Sequence, residues 1–291
     1  MKNPFSLVSL VMALVLVITA GAGCGGGGFD SSKNIAVVAR EDGSGTKSAF
    51  MEIIGLKGKV DPVGAIQQNG TAGVLTEVKG NPVAIAYESL GYVTSDAKTL
   101  KVDGVAATVA NIKNGTYKIA RPLSVIYQES TLENDICQAF LTFLRSSNAQ
   151  KIISEEGYVS LLDDAPAYTA NGALSGAISV SGSTSLQDLM DDLAVEFQKL
   201  QKNVQVVVTG GGSGTGYNNA ESGVTEFGMI SEEFDLGKAP TCTVYTVCND
   251  GIAVIVNKSN PLDNITMAQL RNIYDVDAGA SAIIKWETLV N

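Results

Sequence analysis

The chain has 291 residues, a formal net charge of −10 at pH 7 and no histidine. Its length suffices for two domains, and 45 % hydrophobic against 17 % charged residues is typical of a globular protein. The negative charge argues against nucleic acid or anionic lipid surfaces as partners, because both require a basic surface. The absence of histidine excludes Ser-His-Asp and Cys-His catalysis.

The N-terminal segment has the features of a secretory signal. Lys2 precedes the apolar run FSLVSLVMALVLVITA, and the small residues GAG lead to Cys24. This arrangement resembles the lipobox of bacterial lipoproteins, so we predict a signal peptide over 1–24 and lipidation of Cys24. The apolar run of about 16 residues is short for a membrane-spanning anchor, which needs about 20. Residues 25–32, rich in glycine, predict a flexible tether, and the mature protein is expected outside the cytoplasm, held to the membrane by its lipid alone.

The body of the chain alternates between strand and helix patterns. Strands are predicted over 34–39, 83–90, 177–182, 203–208 and 250–257, and helices over 44–54, 132–146, 148–158, 183–200 and 266–275. Apolar strands that alternate with helices are usually covered on both faces. The pattern therefore predicts an α/β fold with parallel sheets.

Three cysteines lie in this body. Cys137 falls in an apolar helical pattern and is predicted to be a buried small hydrophobic residue. Cys242 and Cys248 are predicted on one strand, and the sequence leaves open whether a bend lets them form a disulfide. The chain has no CxxC pair and no Cys/His cluster, so no metal site is predicted.

Three loops that follow predicted strands share one composition. REDGSGT (40–46), SGSTS (181–185) and GGGSGTG (210–216) combine glycine with serine or threonine, and the first two lead directly into helices. Neither the P-loop pattern nor the GxGxxG dinucleotide pattern fits these letters. One such loop alone is also typical of a plain glycine turn. Three together, one of them with an arginine, predict a site for a small oxyanion held by backbone N–H groups and hydroxyls.

The segments REDGSGTKSAF, ISVSGSTSL, VVVTGGGSGTG and DGIAVIVNKSNPL resemble the phosphate-binding proteins of bacterial phosphate ABC importers (PstS-like). The resemblance implies a periplasmic-binding-protein-like (type II) α/β fold, in which two lobes are joined by two crossing strands and the ligand lies in the cleft between the lobes. The crossing strands would fall over 117–127 and 247–257. The lobes would comprise 33–120 with 252–291, and 123–249.

The order of these segments differs from that of the usual family member. There SGSTS comes first, and REDGSGT follows a segment that ends near a tryptophan, whereas this chain ends with IIKWETLVN. We therefore predict a circularly permuted order, which is tolerated where termini lie close together on the surface. Truncation of a longer chain is the alternative.

Transferred residue by residue, the resemblance implies a phosphate site. Arg40 would contact the anion and Asp42 would orient Arg40. Further donors would come from Ser44, Gly45, Thr46, Thr184, Ser185 and Ser213. Many family members place an aspartate, which accepts the proton of hydrogen phosphate, where this chain has Ser231. Selectivity over sulfate therefore stays open, with Glu232 either a substitute acceptor or a solvated acid at a helix start.

The function expected from this site is binding without catalysis. The protein would capture inorganic phosphate as a monomer, without a cofactor, metal or nucleic acid, and deliver it to the membrane permease of an ABC importer. A receptor for sulfate, molybdate or another oxyanion is the alternative within the same class. A phosphate-ester hydrolase is disfavoured, because the sequence shows no nucleophile paired with a base. A signalling or adhesion lipoprotein without a working site is the last alternative.

Overall fold

The structure is a computed structural model that describes residues 28–290. The predicted signal peptide and the predicted lipidation site Cys24 lie outside the described residues. None of the helices between residues 28 and 290 has both the length and the hydrophobicity that a membrane crossing requires.

Strands and helices alternate along most of the chain. The strands are β1 Ala36–Arg40, β2 Ile66–Gln68, β3 Ala84–Ser89, β4 Ala97–Thr99, β5 Lys101–Val102, β6 Ala120–Gln128, β7 Gly176–Gly182, β8 Val204–Thr209, β9 Phe227–Ile230, β10 Cys242–Asn257 and β11 Asn264–Ile265. The helices are α1 Gly45–Ile53, α2 Thr71–Gly80, α3 Val109–Lys113, α4 Asp135–Leu144, α5 Ser147–Glu155, α6 Thr184–Leu200, α7 Ser213–Glu221, α8 Met267–Tyr274 and α9 Glu287–Val290.

Eight strands form a continuous path in the order β2-β1-β3-β10-β6-β9-β7-β8, and β4 also pairs with β10. The 16 residues of β10 serve both halves of this path, because residues 242–251 pair with β6 and residues 252–256 pair with β3. At about 3.3 Å per residue, such a strand spans roughly 50 Å. The two segments predicted to cross between the lobes are thus β6 and β10, paired antiparallel.

The predicted α/β class is confirmed, but the sheet is mixed. The outer strands are parallel, as predicted, in the pairs β1–β2, β1–β3, β7–β8 and β7–β9. The antiparallel exceptions are the pairs made by β10 and β6 with their neighbours. All five predicted helices are present as α1, α4, α5, α6 and α8, with ends that differ from the prediction by at most three residues.

Buried apolar residues form two main clusters. One takes its members from residues 123–248 and the other from residues 35–119 and 252–286, with Val159 added. This distribution supports the predicted lobe boundaries, 33–120 with 252–291 and 123–249, which stay a prediction. Cys137 is fully buried in the first cluster, as predicted. Cys242 and Cys248 are buried free thiols on β10.

The segment predicted as a tether, 25–32, is packed in part. The ring of Phe29 lies edge-on to that of Trp286 at 5.6 Å, and the N–H of Glu287 donates to the Ser31 carbonyl at 2.8 Å. The chain is therefore attached to the folded body from Phe29 onward. The expectation of a free tether is wrong from Phe29 onward, because the Phe29 ring packs against Trp286 near the C-terminal end of the chain.

Trp286 joins the C-terminal segment to the second cluster. It is fully buried, and its indole Nε1 donates to the Val83 carbonyl at 2.9 Å. We expect Trp286→Phe to lower the free energy of unfolding by about 1–3 kcal/mol, through lost volume and the lost indole hydrogen bond, although the Val83 carbonyl still accepts from the Ala36 N–H. Urea denaturation checks this, with Ile284→Ala as the control, since that exposed side chain on the same segment should cost below about 0.5 kcal/mol. Equal stability of the two variants would contradict the role assigned to Trp286.

Candidate functional site

The candidate site lies where several parallel strands end. In open α/β sheets, ligands bind beyond the carboxyl ends of the strands. Here β1 ends at Arg40, β7 leads into the Ser183–Thr184 turn, β8 leads into the glycine-rich loop before Ser213, and β9 ends just before Ser231. The three loops singled out in the sequence therefore meet at one place.

Arg40 is buried and oriented by its neighbour in sequence. Its Nε and Nη2 atoms each donate to the Glu41 carboxylate at 2.9 Å, and Nη2 also donates to Thr184 Oγ1 at 3.0 Å. Burial tends to raise the pKa of Glu41, but hydrogen bonds from Arg40 and the Gly70 N–H outweigh it, so the pKa lies below its ordinary value. The pair therefore stays ionised.

The acid that orients Arg40 is thus Glu41, and the prediction of Asp42 in this role is wrong. The Asp42 side chain is 95 % exposed and accepts a hydrogen bond from Lys47 Nζ at 2.8 Å. Asp42 lies in the turn between β1 and α1, which directs its side chain to solvent. Glu41 is long enough to reach back to the guanidinium.

Hydroxyl groups from distant parts of the chain meet beside Arg40. Thr46 Oγ1 lies 2.8 Å from Ser185 Oγ, and Thr71 Oγ1 lies 3.2 Å from Thr184 Oγ1. The backbone N–H of Gly214 donates to the Gly43 carbonyl at 2.9 Å. These contacts join the two predicted lobes directly, so the structure shows the cleft between them closed.

Ser213 and Ser231 complete the cluster. Their hydroxyl oxygens are 3.2 Å apart, and the Ser231 N–H donates to Ser213 Oγ at 3.1 Å. Gly45 packs so closely here that an added Cβ would clash with Ser213 Oγ and lie 2.6 Å from Ser231 Oγ. A glycine is required at this position for the close approach of α1 to the opposite lobe.

Helix N-termini surround the same place. Ser44 caps α1 through the Lys47 N–H, which donates to its hydroxyl at 3.3 Å. The N-cap residues of α6 and α7, Ser183 and Gly212, make no side-chain cap hydrogen bond in the described structure. These two helix N-termini therefore lack the usual side-chain acceptor, although the Gly214 N–H of α7 donates to the Gly43 carbonyl. Helix N-termini of this kind attract anions.

Four buried polar atoms at these strand ends have no hydrogen-bond partner among the described residues: Arg40 Nη1, Ser183 Oγ, Ser89 Oγ and Glu88 Oε2. Buried polar groups are nearly always paired. Arg40 Nη1 and the Ser183 hydroxyl can both donate to an anion. Within residues 28–290, no group of three or more His, Cys, Asp and Glu side chains is placed to hold a metal ion.

The structure brings all eight predicted ligand-binding residues to this place: Arg40, Ser44, Gly45, Thr46, Thr184, Ser185, Ser213 and Ser231. Glu232 follows Ser231, is largely buried and accepts a hydrogen bond from Lys238 Nζ at 2.7 Å. Its assignment as a substitute proton acceptor stays a prediction.

Sequence reasoning missed a buried ion pair on the crossing strands. Arg121 on β6 lies opposite Asp250 on β10, and its Nη2 donates to Asp250 Oδ2 at 3.1 Å. Arg121 Nη1 donates to the Ser231 carbonyl at 2.9 Å, which ties the pair to the site. A charged residue inside each crossing segment was the available signal.

Comparison with known proteins agrees with this geometry. The family model described as "PBP superfamily domain" matches residues 28–148 and 167–287. Phosphate-binding protein PstS 2 of Streptococcus agalactiae is 36 % identical over 253 residues, which cover 84 % of this chain and 85 % of that protein. Phosphate-binding protein PstS of Bacillus subtilis is 32 % identical over 145 residues, 48 % of this chain and 46 % of that protein.

A solved structure extends the comparison to the fold. The crystal structure of a phosphate ABC transporter, phosphate-binding protein from Streptococcus pneumoniae, has a TM-score of 0.70 and 32 % identity, and covers 88 % of this chain and 99 % of that one. The fold and the site at the carboxyl ends of the strands together define the class of the protein. It is a two-lobe α/β binding protein of the periplasmic type. The chain belongs to the PBP superfamily and, within it, to the family of PstS-like phosphate-binding proteins.

Proposed function

We propose that this chain binds inorganic phosphate in the cleft between its lobes and delivers it to the membrane permease of an ABC importer. One observation carries the proposal. A buried guanidinium with one unpartnered nitrogen, Arg40 Nη1, lies among serine and threonine hydroxyls and uncapped helix N-termini. Such a set of donors suits a small, multiply charged oxyanion that accepts hydrogen bonds on all sides.

The names of the relatives favour phosphate over other oxyanions, since the streptococcal and Bacillus proteins are named phosphate-binding proteins. Binding needs closure of the lobes around the anion and no covalent step. We further propose that the protein acts outside the cytoplasm as a monomer, held to the membrane by a lipid on Cys24. Mass spectrometry of the mature N-terminus tests the lipid directly.

The permuted order of segments is part of the proposal. The streptococcal relatives match over 84 % of this chain, whereas the B. subtilis relative matches over 48 %. A collinear comparison of two chains whose halves are exchanged can match one half only. The half-length match therefore supports an exchanged order relative to the B. subtilis protein.

Gly45→Ala should weaken phosphate binding strongly, because the added methyl group would keep Ser213 and Ser231 away from α1 and hinder closure. We expect a rise in dissociation constant of about tenfold or more, roughly 1.4 kcal/mol, in calorimetric titration. Gly80→Ala is the matched control, because a Cβ at that helical glycine meets no atom within 4 Å. If both variants bind phosphate like the wild type, the site is not at this closed contact.

A further inference from the structure

Glu88 lies at the carboxyl end of β3, level with Arg40. The strands β1 and β3 are parallel, with Ala36 opposite Ala84 and Val37 opposite Ile85. Continued by three residues, this register sets Arg40 opposite Glu88, and opposite residues of paired strands share one face. Glu88 therefore belongs to the same row of strand ends that carries the proposed phosphate site.

The Glu88 carboxylate is fully buried, and only one of its two oxygens has a hydrogen-bond partner among the described residues. Its Oε1 accepts a hydrogen bond from the Ser89 N–H at 2.7 Å, whereas Oε2 has no partner among the residues the structure describes. No ion pair joins it to Arg40 within residues 28–290, although Arg40 Nη1 is unpartnered as well. Buried polar atoms are nearly always paired. The unpaired donor Arg40 Nη1 and the unpaired acceptor Glu88 Oε2 therefore indicate a ligand group that accepts from the first and donates to the second.

The charges around Glu88 come from every neighbouring element. Arg40 on β1 and Arg121 on β6 favour the ionised carboxyl, and Asp250 on β10 disfavours it. The phenols of Tyr87 on β3 and of Tyr92, in the helical turn that follows β3, also lie near Glu88. Burial outweighs the two arginines and raises the pKa of Glu88 to about 7. A dianion bound nearby would raise this pKa further, because like charges disfavour ionisation.

We propose that Glu88 Oε2 faces one oxygen of the bound anion and shares a single proton with it. This inference rests on the proposed phosphate site. Hydrogen phosphate brings the proton itself and donates it as a hydrogen bond to the ionised Glu88. Sulfate carries no proton to donate, so wherever Glu88 is ionised, sulfate binding requires Glu88 to take up a proton from solvent. Glu88 thereby supplies discrimination between the two anions that Ser231 cannot supply, since a hydroxyl can donate to either.

The sign of the pH dependence follows from this arrangement. Below the pKa of Glu88 the protonated carboxyl can donate to sulfate, and both anions bind. Above that pKa the ionised carboxyl repels sulfate but still accepts the hydrogen bond of the phosphate dianion. Sulfate affinity should therefore fall by about tenfold for each pH unit above the pKa of Glu88, while phosphate affinity changes less.

Competition titrations of sulfate against phosphate, from about pH 6 to about pH 8.5, test the proposal on the wild-type protein. Calorimetry in two buffers of different ionisation enthalpy gives the second readout. We expect uptake of about one proton per sulfate at the alkaline end, and much less uptake per phosphate. A ratio of affinities that does not change with pH would overturn the role of Glu88 without the use of any variant.

Glu88→Gln removes the charge and keeps the shape of the side chain. We expect this variant to bind sulfate with no pH dependence, and its phosphate preference at about pH 8.5 to fall at least tenfold. Glu196→Gln is the matched control, because Glu196 lies twelve residues, about 18 Å, along α6 from the site. Unchanged selectivity in Glu88→Gln would refute this inference alone. Failure of the wild type to bind phosphate would instead refute the proposed function.

Discussion

Replacing Arg40 with alanine should weaken phosphate binding by at least about 2 kcal/mol, roughly thirtyfold in the dissociation constant. Charge-assisted hydrogen bonds are about twice as strong as neutral ones, and Arg40 is buried where water cannot replace it. The overall charge of −10 offers a dianion no general attraction, so the local guanidinium matters more than it would in a basic protein.

Arg145→Ala is the matched control for this loss. Arg145 is an exposed arginine whose guanidinium stacks over the Tyr245 ring at 4.8 Å, on the lobe that carries the SGSTS loop. Its removal subtracts the same charge and should leave the dissociation constant within about twofold. Wild-type affinity in Arg40→Ala would contradict the site assignment, and an equal loss in both variants would mean that net charge alone governs binding.

The second large effect concerns stability and the crossing strands. Arg121→Leu should lower the free energy of unfolding by about 3–5 kcal/mol, because it leaves the buried Asp250 carboxyl without its charged partner. It also removes the donor to the Ser231 carbonyl. Urea denaturation measures the loss, and phosphate affinity should fall as well, since Ser231 would lose a support.

A double variant separates the ion pair from general damage. Arg121→Leu with Asp250→Leu should be more stable than the sum of the single losses predicts, because no unpaired charge stays buried. The exposed pair of Lys113 with Asp163 is the control, and Lys113→Leu should cost below about 1 kcal/mol. A loss for Arg121→Leu no larger than that control would show that the buried pair does not hold the crossing strands together.

Much of the site could be predicted because its chemistry is local in sequence. Glycine with serine or threonine directly after an apolar strand indicates a free helix N-terminus, and three such loops in one α/β chain converge at the strand ends. Five helices could also be predicted, since each carries an apolar stripe of helical period: α1, α4, α5, α6 and α8.

The parts of the fold and of the site that could not be predicted depend on contacts between residues far apart in sequence, which no local pattern reveals. The helix α2 has two glycines and buries few apolar side chains, among them Val74 and Val78, so its periodicity is weak. The edge strand β2, with the sequence IQQ, has no apolar alternation at all. Whether Glu41 or Asp42 meets Arg40 depends on where the turn directs each side chain, and the burial of Glu88 depends on the register of β3.

The measurement that tests the central proposal most directly is calorimetric titration of the purified protein with phosphate, after bound ligand has been removed by unfolding and refolding. Sulfate then follows as a competitor at about pH 8.5, above the pKa of Glu88, where discrimination against sulfate is expected. We predict binding of one phosphate per chain that sulfate displaces poorly, and loss of that binding in Arg40→Ala. Equal binding of both anions would keep an oxyanion receptor and contradict its selectivity for phosphate, and no binding of either would contradict the proposed function itself.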